Sequence, residues 1–280
     1  MPKCWLTNFQ VVTKWFNKIE NKSSKIFINF DIVDFYSSIT KQHVTDKINF
    51  GQTYTTISNE EVDVILHACK SVHFYKNKLW SKSRNNSNFY VAMSSFHGAK
   101  ICYPVGLFLL DKIKHSNKFR NIGFSRDGGL GIIKQSSDTH LERITKDITK
   151  IFKNVSFNIT IDIGVTSTTF LDVSLDLLTR KYQVYTKPNT RTICINKHSI
   201  HPSTIYKKQL SKMVENRISV ASIDEEAFNS TKSTFQDTLK KANYNYVIKF
   251  CRNNKNSNRK TGNANACISI HHTSYLLRLI

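Results

Sequence analysis

Apolar residues recur along this chain at two spacings, and the changes from one to the other outline its elements. In residues 6–19, Phe9, Val12, Trp15, Phe16 and Ile19 stand at helical intervals and predict an amphipathic first helix. A turn over Asn21–Ser24 leads into Phe27-Ile28-Asn29-Phe30-Asp31-Ile32-Val33-Asp34-Phe35-Tyr36. Its branched and aromatic residues favour an extended backbone. With apolar residues on both faces, the run reads as a buried strand that carries Asp31 at its end. A short helix is expected over Ser38–Asn49, starting near Ser38 or Thr40. Ser58-Asn59-Glu60-Glu61 has the form of a capping box and opens a helix through Val62, Ile65, Leu66, Cys69 and Val72. Residues 73–90, rich in Asn, Lys and Ser around Trp80, read as a surface excursion with a hairpin at Tyr75–Leu79. Gly98 precedes an apolar helix over Ile101–Ile113, where a glycine lets a backbone or ligand approach closely.

The second half continues the alternation. Asn121–Ile133 carries two short apolar runs around Arg126-Asp127-Gly128-Gly129. Asp-Gly and Gly-Gly supply the positive φ values of tight hairpin turns, so Asp127 is expected at a hairpin tip. Asp138–Asn154 is amphipathic, with Leu141, Ile144, Ile148, Ile151 and Phe152 on one face. A strand follows at Phe157–Ile161. Thr168–Leu175 alternates and is expected to pair, across a turn near Thr179-Arg180, with Lys181–Thr186. Residues 203–243 read as two basic helices separated near Ser219–Asp224. The tail from Asn253 has no Leu, Ile, Val or Phe before Ile268 and is expected to be disordered. This order of elements is what a split βαβ unit needs, and it would bring Asp31 and Asp127 onto adjacent strands.

Charge narrows the partners. The net charge is +21 over 280 residues. Such an excess calls for a polyanion, most simply nucleic acid. An anionic membrane surface is the competing reading, but no basic amphipathic helix stands out. Charge speaks to affinity rather than sequence preference. The six cysteines, at 4, 69, 102, 194, 251 and 267, form no CxxC pair, so a zinc site is not expected. No signal peptide and no membrane-spanning apolar run are seen, which suggests reduced thiols in the nucleus or cytoplasm.

Two aspartates side by side at a sheet rim suit Mg²⁺, which takes one or two protein carboxylates and leaves its other positions to water and phosphate oxygens. The plainer reading of Asp31 is a strand-end residue capping the next turn.

The two segments resemble the palm motifs of reverse transcriptases, particularly those of non-LTR and Penelope-like retroelements. Asp31, with the aromatic Tyr36 five residues on, resembles the first catalytic motif. Ser125-Arg126-Asp127-Gly128 resembles the Tyr-x-Asp-Asp box, with Ser125 in place of Tyr and Gly128 in place of the second Asp. Met93–Lys100 is similar to the second palm motif, although His97 and Lys100 stand where relatives carry acids. Phe170-Leu171-Asp172 looks like the primer-grip hairpin. Tyr185–Thr190 and Asn196–Pro202 resemble the Penelope-like segment after it. The resemblance covers roughly residues 6–245.

It implies an α+β fold: a polymerase palm (split βαβ, antiparallel sheet with helices on one face) followed by a helical thumb. The segments would be partial fingers and an N-terminal helix at 1–25, palm at 26–187, thumb at 188–250 and a basic tail at 251–280. The implied activity is RNA-directed DNA polymerisation on an RNA template and DNA primer from deoxynucleoside triphosphates, with no membrane. Mg²⁺ (or Mn²⁺) would be held by Asp31, Asp127 and the Ile32 carbonyl. Asp34, Phe35, Tyr36 and Gly98 would lie on the substrate side. Asp34 has a second reading as an ion-pair partner for a lysine. Losing the carboxylate at Gly128 would cost several kcal/mol of transition-state stabilisation, at about tenfold in rate per 1.36 kcal/mol. A weakened or inactive copy is therefore expected. The alternatives are a non-catalytic nucleic-acid-binding remnant of the same fold, and a basic structural protein with fortuitous aspartates.

Overall fold

The computed structural model describes residues 8–53, 56–70, 72–81, 89, 91, 98–115, 121–188, 194–200 and 204–251. The expected disordered tail from Asn253, the Met93–His97 part of the second palm motif, Asn189-Thr190 and His201-Pro202 lie outside the described residues. The described chain forms two compact units, one of residues 27–164 and one of residues 8–26 with 165–251.

The first unit is built on a four-stranded sheet. Its strands are β1 (Lys25–Ile32), β4 (Ile122–Ser125), β5 (Gly128–Lys134) and β6 (Ile159–Val165), in the order β4-β5-β1-β6. The hairpin β2 (Val72–Tyr75) and β3 (Lys78–Ser81) stands as a separate two-stranded sheet. Strands β4 and β5 pair antiparallel, Ser125 opposite Gly128. The end of β1 lies beside the starts of both its neighbours, because the Ile32 N–H donates to the Asp127 carbonyl and the Val33 N–H to the Asn158 carbonyl, each at 2.9 Å. Both neighbours therefore run antiparallel to β1. A central first strand with the hairpin on one side and the last strand on the other is the split βαβ order. The fold is α+β, as expected.

The helices cover one face of this sheet. They are α2 (Phe35–Ser38), α3 (Lys41–Gln52), α4 (Asn59–Ala68), α5 (Gly98–His115) and α6 (Asp138–Lys153). Ile28, Phe30 and Ile32 of β1 share a core with Phe124 of β4, Cys102, Val105 and Leu109 of α5, and Ile148 and Phe152 of α6. These β1 residues alternate, so they lie on one face. Asn29 and Asp31 take the opposite face and are partly or fully exposed. The strand is thus one-sided over its second half, not apolar on both faces, and this puts Asp31 on the surface.

Local chemistry sets several helix starts. Ser58 and Glu61 form the expected capping box on α4. Thr40 and His43 form another on α3, with imidazole in the role usually taken by Glu. Helix α4 ends at its C-cap, Cys69. Val72, expected on that helix, instead lies opposite Ser81 in the hairpin.

In the second unit, α1 (Phe9–Asn17) and a three-stranded sheet of β7 (Ser167–Phe170), β8 (Val173–Asp176) and β9 (Tyr182–Val184) accompany α7 (Thr204–Val220) and α8 (Glu225–Lys241). Phe16 meets Tyr182 edge-on at 6.1 Å. The pairing across Thr179-Arg180 is as expected, with Leu175 opposite Tyr182. The alternating run Thr168–Leu175 turns back at Leu171-Asp172, both at positive φ (48° and 65°), into the β7–β8 hairpin, where the resemblance implied a hairpin and the alternation alone did not. The two helices break where expected, and the Asp224 side chain caps α8 by accepting from the Ala227 N–H at 2.8 Å.

Candidate functional site

Asp31 and Asp127 converge. The Ile32–Asp127 backbone bond is the local cause: it ties the hairpin turn to the end of β1, some ninety-five residues earlier in sequence. Burial and then the Asp127 carboxylate raise the Asp31 carboxyl above its ordinary range, offset in part by the Ile32 N–H. A carboxyl whose ionisation is disfavoured by a neighbouring carboxylate is one that a bound cation would relieve. The pair is all oxygen, a hard donor set that suits Mg²⁺ or Mn²⁺ better than a thiophilic metal. Among the described residues, no group of three or more His, Cys, Asp or Glu could hold a metal ion. A cation held by these two aspartates would need further oxygen ligands from backbone, water or a bound phosphate.

The turn differs from the expected one. Its two central residues are Arg126 and Asp127, and the positive φ (54°) falls on Arg126. Gly128 and Gly129 lie in β5, and Gly164 alone among the described glycines has a positive φ. A non-glycine residue in the left-handed region is uncommon and costs free energy. Gly129 has a different use: a Cβ there would lie 1.9 Å from Cζ of Phe30. The glycine lets the Phe30 ring press against β5, which brings β1 and the hairpin into close register.

The remaining residues of the first unit gather unevenly around this pair. Tyr36, half-buried on α2, has its hydroxyl pKa raised by burial, then by the Cys102 thiol and the Asp127 carboxylate, while the Arg126 guanidinium opposes the shift. Tyr36 and Asp127 are therefore electrostatic neighbours. Asp34 is exposed and left-handed (φ 51°), and its carbonyl accepts from the Ser38 N–H at 2.8 Å and the Ser37 hydroxyl at 2.9 Å. Phe35 is 3% exposed and packs on Phe157 at 5.8 Å, so any influence it has on the site is through positioning. Gly98 is the first residue of α5. Cys102, one turn later on the same face, is buried, and burial and then Asp127 push its thiol pKa far up. The first turn of α5 thus lies at the site. Phe170, Leu171 and Asp172 belong to the second unit, where the Asp172 carboxylate pairs with Arg217 of α7.

Three neighbours escape any reading of motifs. Arg126 brings a cation to the turn, Cys102 an apolar thiol, and the Thr160 hydroxyl reaches the Asp31 carbonyl at 3.5 Å. Only Arg126 carried a signal, its position beside Asp127.

No protein-family model matches the chain, and no curated protein matches it. Among solved structures the chain is similar to apo telomerase from Candida tropicalis, at 10% identity and a TM-score of 0.48 over 83% of its own length. It is similar also to telomerase from Candida tropicalis in complex with the TWJ fragment of telomeric RNA, at 13% identity and a TM-score of 0.45 over 86%. A third likeness, to the apo enzyme truncated from its C-terminal domain, has 10% identity and a TM-score of 0.43 over 65%. The chain spans 41% to 45% of the length of these chains.

Proposed function

We propose that this chain is the palm and thumb portion of a retroelement-derived RNA-directed DNA polymerase, with nucleotidyl transfer that is weak or absent in this copy. The observation that supports the reading is the Ile32–Asp127 bond, which ties the turn carrying Asp127 to the strand end carrying Asp31 in a split βαβ sheet. Asp31, Asp127 and the Ile32 carbonyl would hold Mg²⁺ or Mn²⁺. When bound, such an ion supplies Lewis-acid activation of a primer 3′-hydroxyl and relief of charge on the departing pyrophosphate. Asp31 and Asp127 orient the reacting phosphate by their fixed places on strand end and turn. Tyr36 offers a rigid ring beneath the sugar of an incoming deoxynucleoside triphosphate, where its bulk would reject a 2′-hydroxyl. Asp34 flanks the triphosphate, and Gly98 lets template and nucleotide approach the first turn of α5. The hairpin Phe170-Leu171-Asp172 would grip the primer. The net charge of +21 supports an RNA template and DNA primer as partners, in the nucleus or cytoplasm.

Gly128 in place of a second acid favours a second reading, a non-catalytic nucleic-acid-binding protein on the same fold. Primer extension on an RNA template with Mg²⁺ or Mn²⁺ separates the two. Extension that disappears in Asp31→Ala supports the enzyme. Salt-sensitive binding of primer–template without extension at any ion concentration supports the binding protein. Salt-independent binding contradicts both.

A further inference from the structure

The β2–β3 hairpin is exposed on both faces. Cross-strand partners share a face, so Phe74 and Leu79 make one face, while Tyr75, Lys78 and Trp80 belong to the other. Phe74 and Leu79 are 70% and 76% exposed, and Tyr75 and Trp80 are 62% and 57% exposed. An isolated two-stranded hairpin is marginal in water, and clustered exposed apolar groups mark a binding surface. The aromatic face is ordered all the same. The Trp80 indole N–H donates to the Tyr75 carbonyl at 3.3 Å, and the Lys76 ammonium lies 5.4 Å from the centroid of the Tyr75 ring. The turn carries Lys76 and Asn77 at positive φ (49° and 58°), which holds Lys76 at the tip.

Charge identifies the occupant. From residue 64 to residue 110 the sequence has no Asp or Glu, against Lys70, Lys76, Lys78, Lys82, Arg84 and Lys100. Rings interleaved with cations on an acid-free segment suit a chain of bases and phosphates. Bases stack on exposed aromatic rings, and lysines neutralise the backbone between them. A duplex hides its base faces and cannot use the rings. We propose that the β2–β3 hairpin is a stacking platform for single-stranded nucleic acid, with Tyr75 and Trp80 receiving bases and Lys76 and Lys78 the adjoining phosphates. This rests on the nucleic-acid-binding reading above and adds the strand state and the residues that sense it.

The test is fluorescence anisotropy of the full chain with fluorescein-labelled oligothymidylate of about 15 nucleotides and with a blunt duplex of the same length. Tyr75→Ala with Trp80→Ala is expected to weaken single-strand binding by about tenfold or more and to leave duplex binding unchanged. Trp80→Phe, which keeps a ring, is expected to bind nearly as wild type, and Trp80→Leu is not. Lys76→Gln with Lys78→Gln is expected to lower the slope of log affinity against log salt by about 1.4 on the single strand. Unchanged single-strand affinity in the double alanine variant overturns the platform while wild-type binding leaves the wider reading standing. Equal losses on both probes overturn it too, since they point to a general charge or folding effect. So does self-association of the wild type abolished by Phe74→Ser with Leu79→Ser at unchanged single-strand affinity, which makes the hairpin a protein contact. No binding of either probe by wild type removes the platform and the nucleic-acid reading together.

Discussion

The ring of Phe30 fills the space that a side chain at Gly129 would need. Any Cβ there would lie 1.9 Å from one ring carbon and 2.4 Å from two others. Phe30 itself meets Phe124 at 5.8 Å and Phe152 at 5.3 Å, so the ring has nowhere to retreat. Gly129→Ala is expected to cost about 3 kcal/mol in urea unfolding, at the upper end of ordinary overpacking. Phe30→Leu in the same chain should recover part of that loss, and strict additivity of the two changes would contradict the contact.

Burial, and then the Asp127 carboxylate, make Asp31 harder to ionise in the folded protein than in the unfolded chain. Its carboxyl is raised above 3.8, so the unfolded chain releases this proton first, and the group's penalty grows as pH rises through the carboxylate range. Asp31→Asn is therefore expected to raise Tm at pH 7 in the absence of divalent ions, with the gain vanishing below about pH 4. Added Mg²⁺ should raise the Tm of wild type and leave that of Asp31→Asn unmoved. A Mg²⁺ shift equal in both proteins would place the ion elsewhere.

Lys47 is a second strained charge. It is 2% exposed, its ammonium sits 3.5 Å from the centroid of the Phe108 ring, and burial lowers its pKa to about 8. Asp46 opposes the shift and Lys112 adds to it. Because the folded pKa lies below 10.5, the unfolded chain holds the proton more firmly, and stability rises with pH between about 8 and 10.5. Lys47→Met is expected to stabilise the protein at pH 7 by up to about 3 kcal/mol and to flatten that rise. Thermal melts from pH 7 to pH 10 read both effects.

Glu215 shows the opposite balance. It is 2% exposed, yet its carboxylate accepts from the Lys249 N–H at 2.9 Å and the Tyr246 hydroxyl at 3.0 Å, and it pairs with Lys212. Burial would raise its pKa, but these donors hold it below 4.5. The stability it contributes is present above that value and fades as pH falls further. Glu215→Ala leaves the donors facing a cavity and is expected to cost about 3–5 kcal/mol. Protease cleavage within residues 244–251, which Gln236 also holds through the Tyr246 carbonyl and the Ile248 N–H, should then run ahead of global unfolding.

Gly128 has a backbone that an aspartate adopts, since its φ is not positive. If the missing carboxylate limits the chemistry, Gly128→Asp should raise primer extension by tenfold or more, on the scale of about 1.4 kcal/mol per decade. No change in an otherwise folded protein would locate the defect elsewhere.

Local patterns announced themselves. The Ser58–Glu61 cap, the amphipathic α6 and the hairpin at Asp127 each rest on residues three or four apart, or on two adjacent strands. The readings that missed did so for equally local reasons. Thr168–Leu175 keeps its alternation across a turn built from Leu171 and Asp172, which periodicity could not show, since leucine at positive φ leaves no turn signature; only the likeness to a primer-grip hairpin pointed to it. At the other hairpin the glycines suggested the turn, but their neighbours Arg126 and Asp127 occupy it, and Gly129 answers to a ring ninety-nine residues away.

The order of spacings and charges alone thus determined where most helices and strands lie, that the chain is strongly cationic, and that two aspartates stand at the ends of apolar runs. Only the tertiary structure decided that those aspartates meet, that the Asn29–Asp31 side of β1 is open to solvent, and which glycine is indispensable. Pairing between strands is a choice among distant partners, made by the hydrogen bond from Ile32 to Asp127 and the fit of Phe30 against β5, and neither is encoded in any window of neighbouring residues.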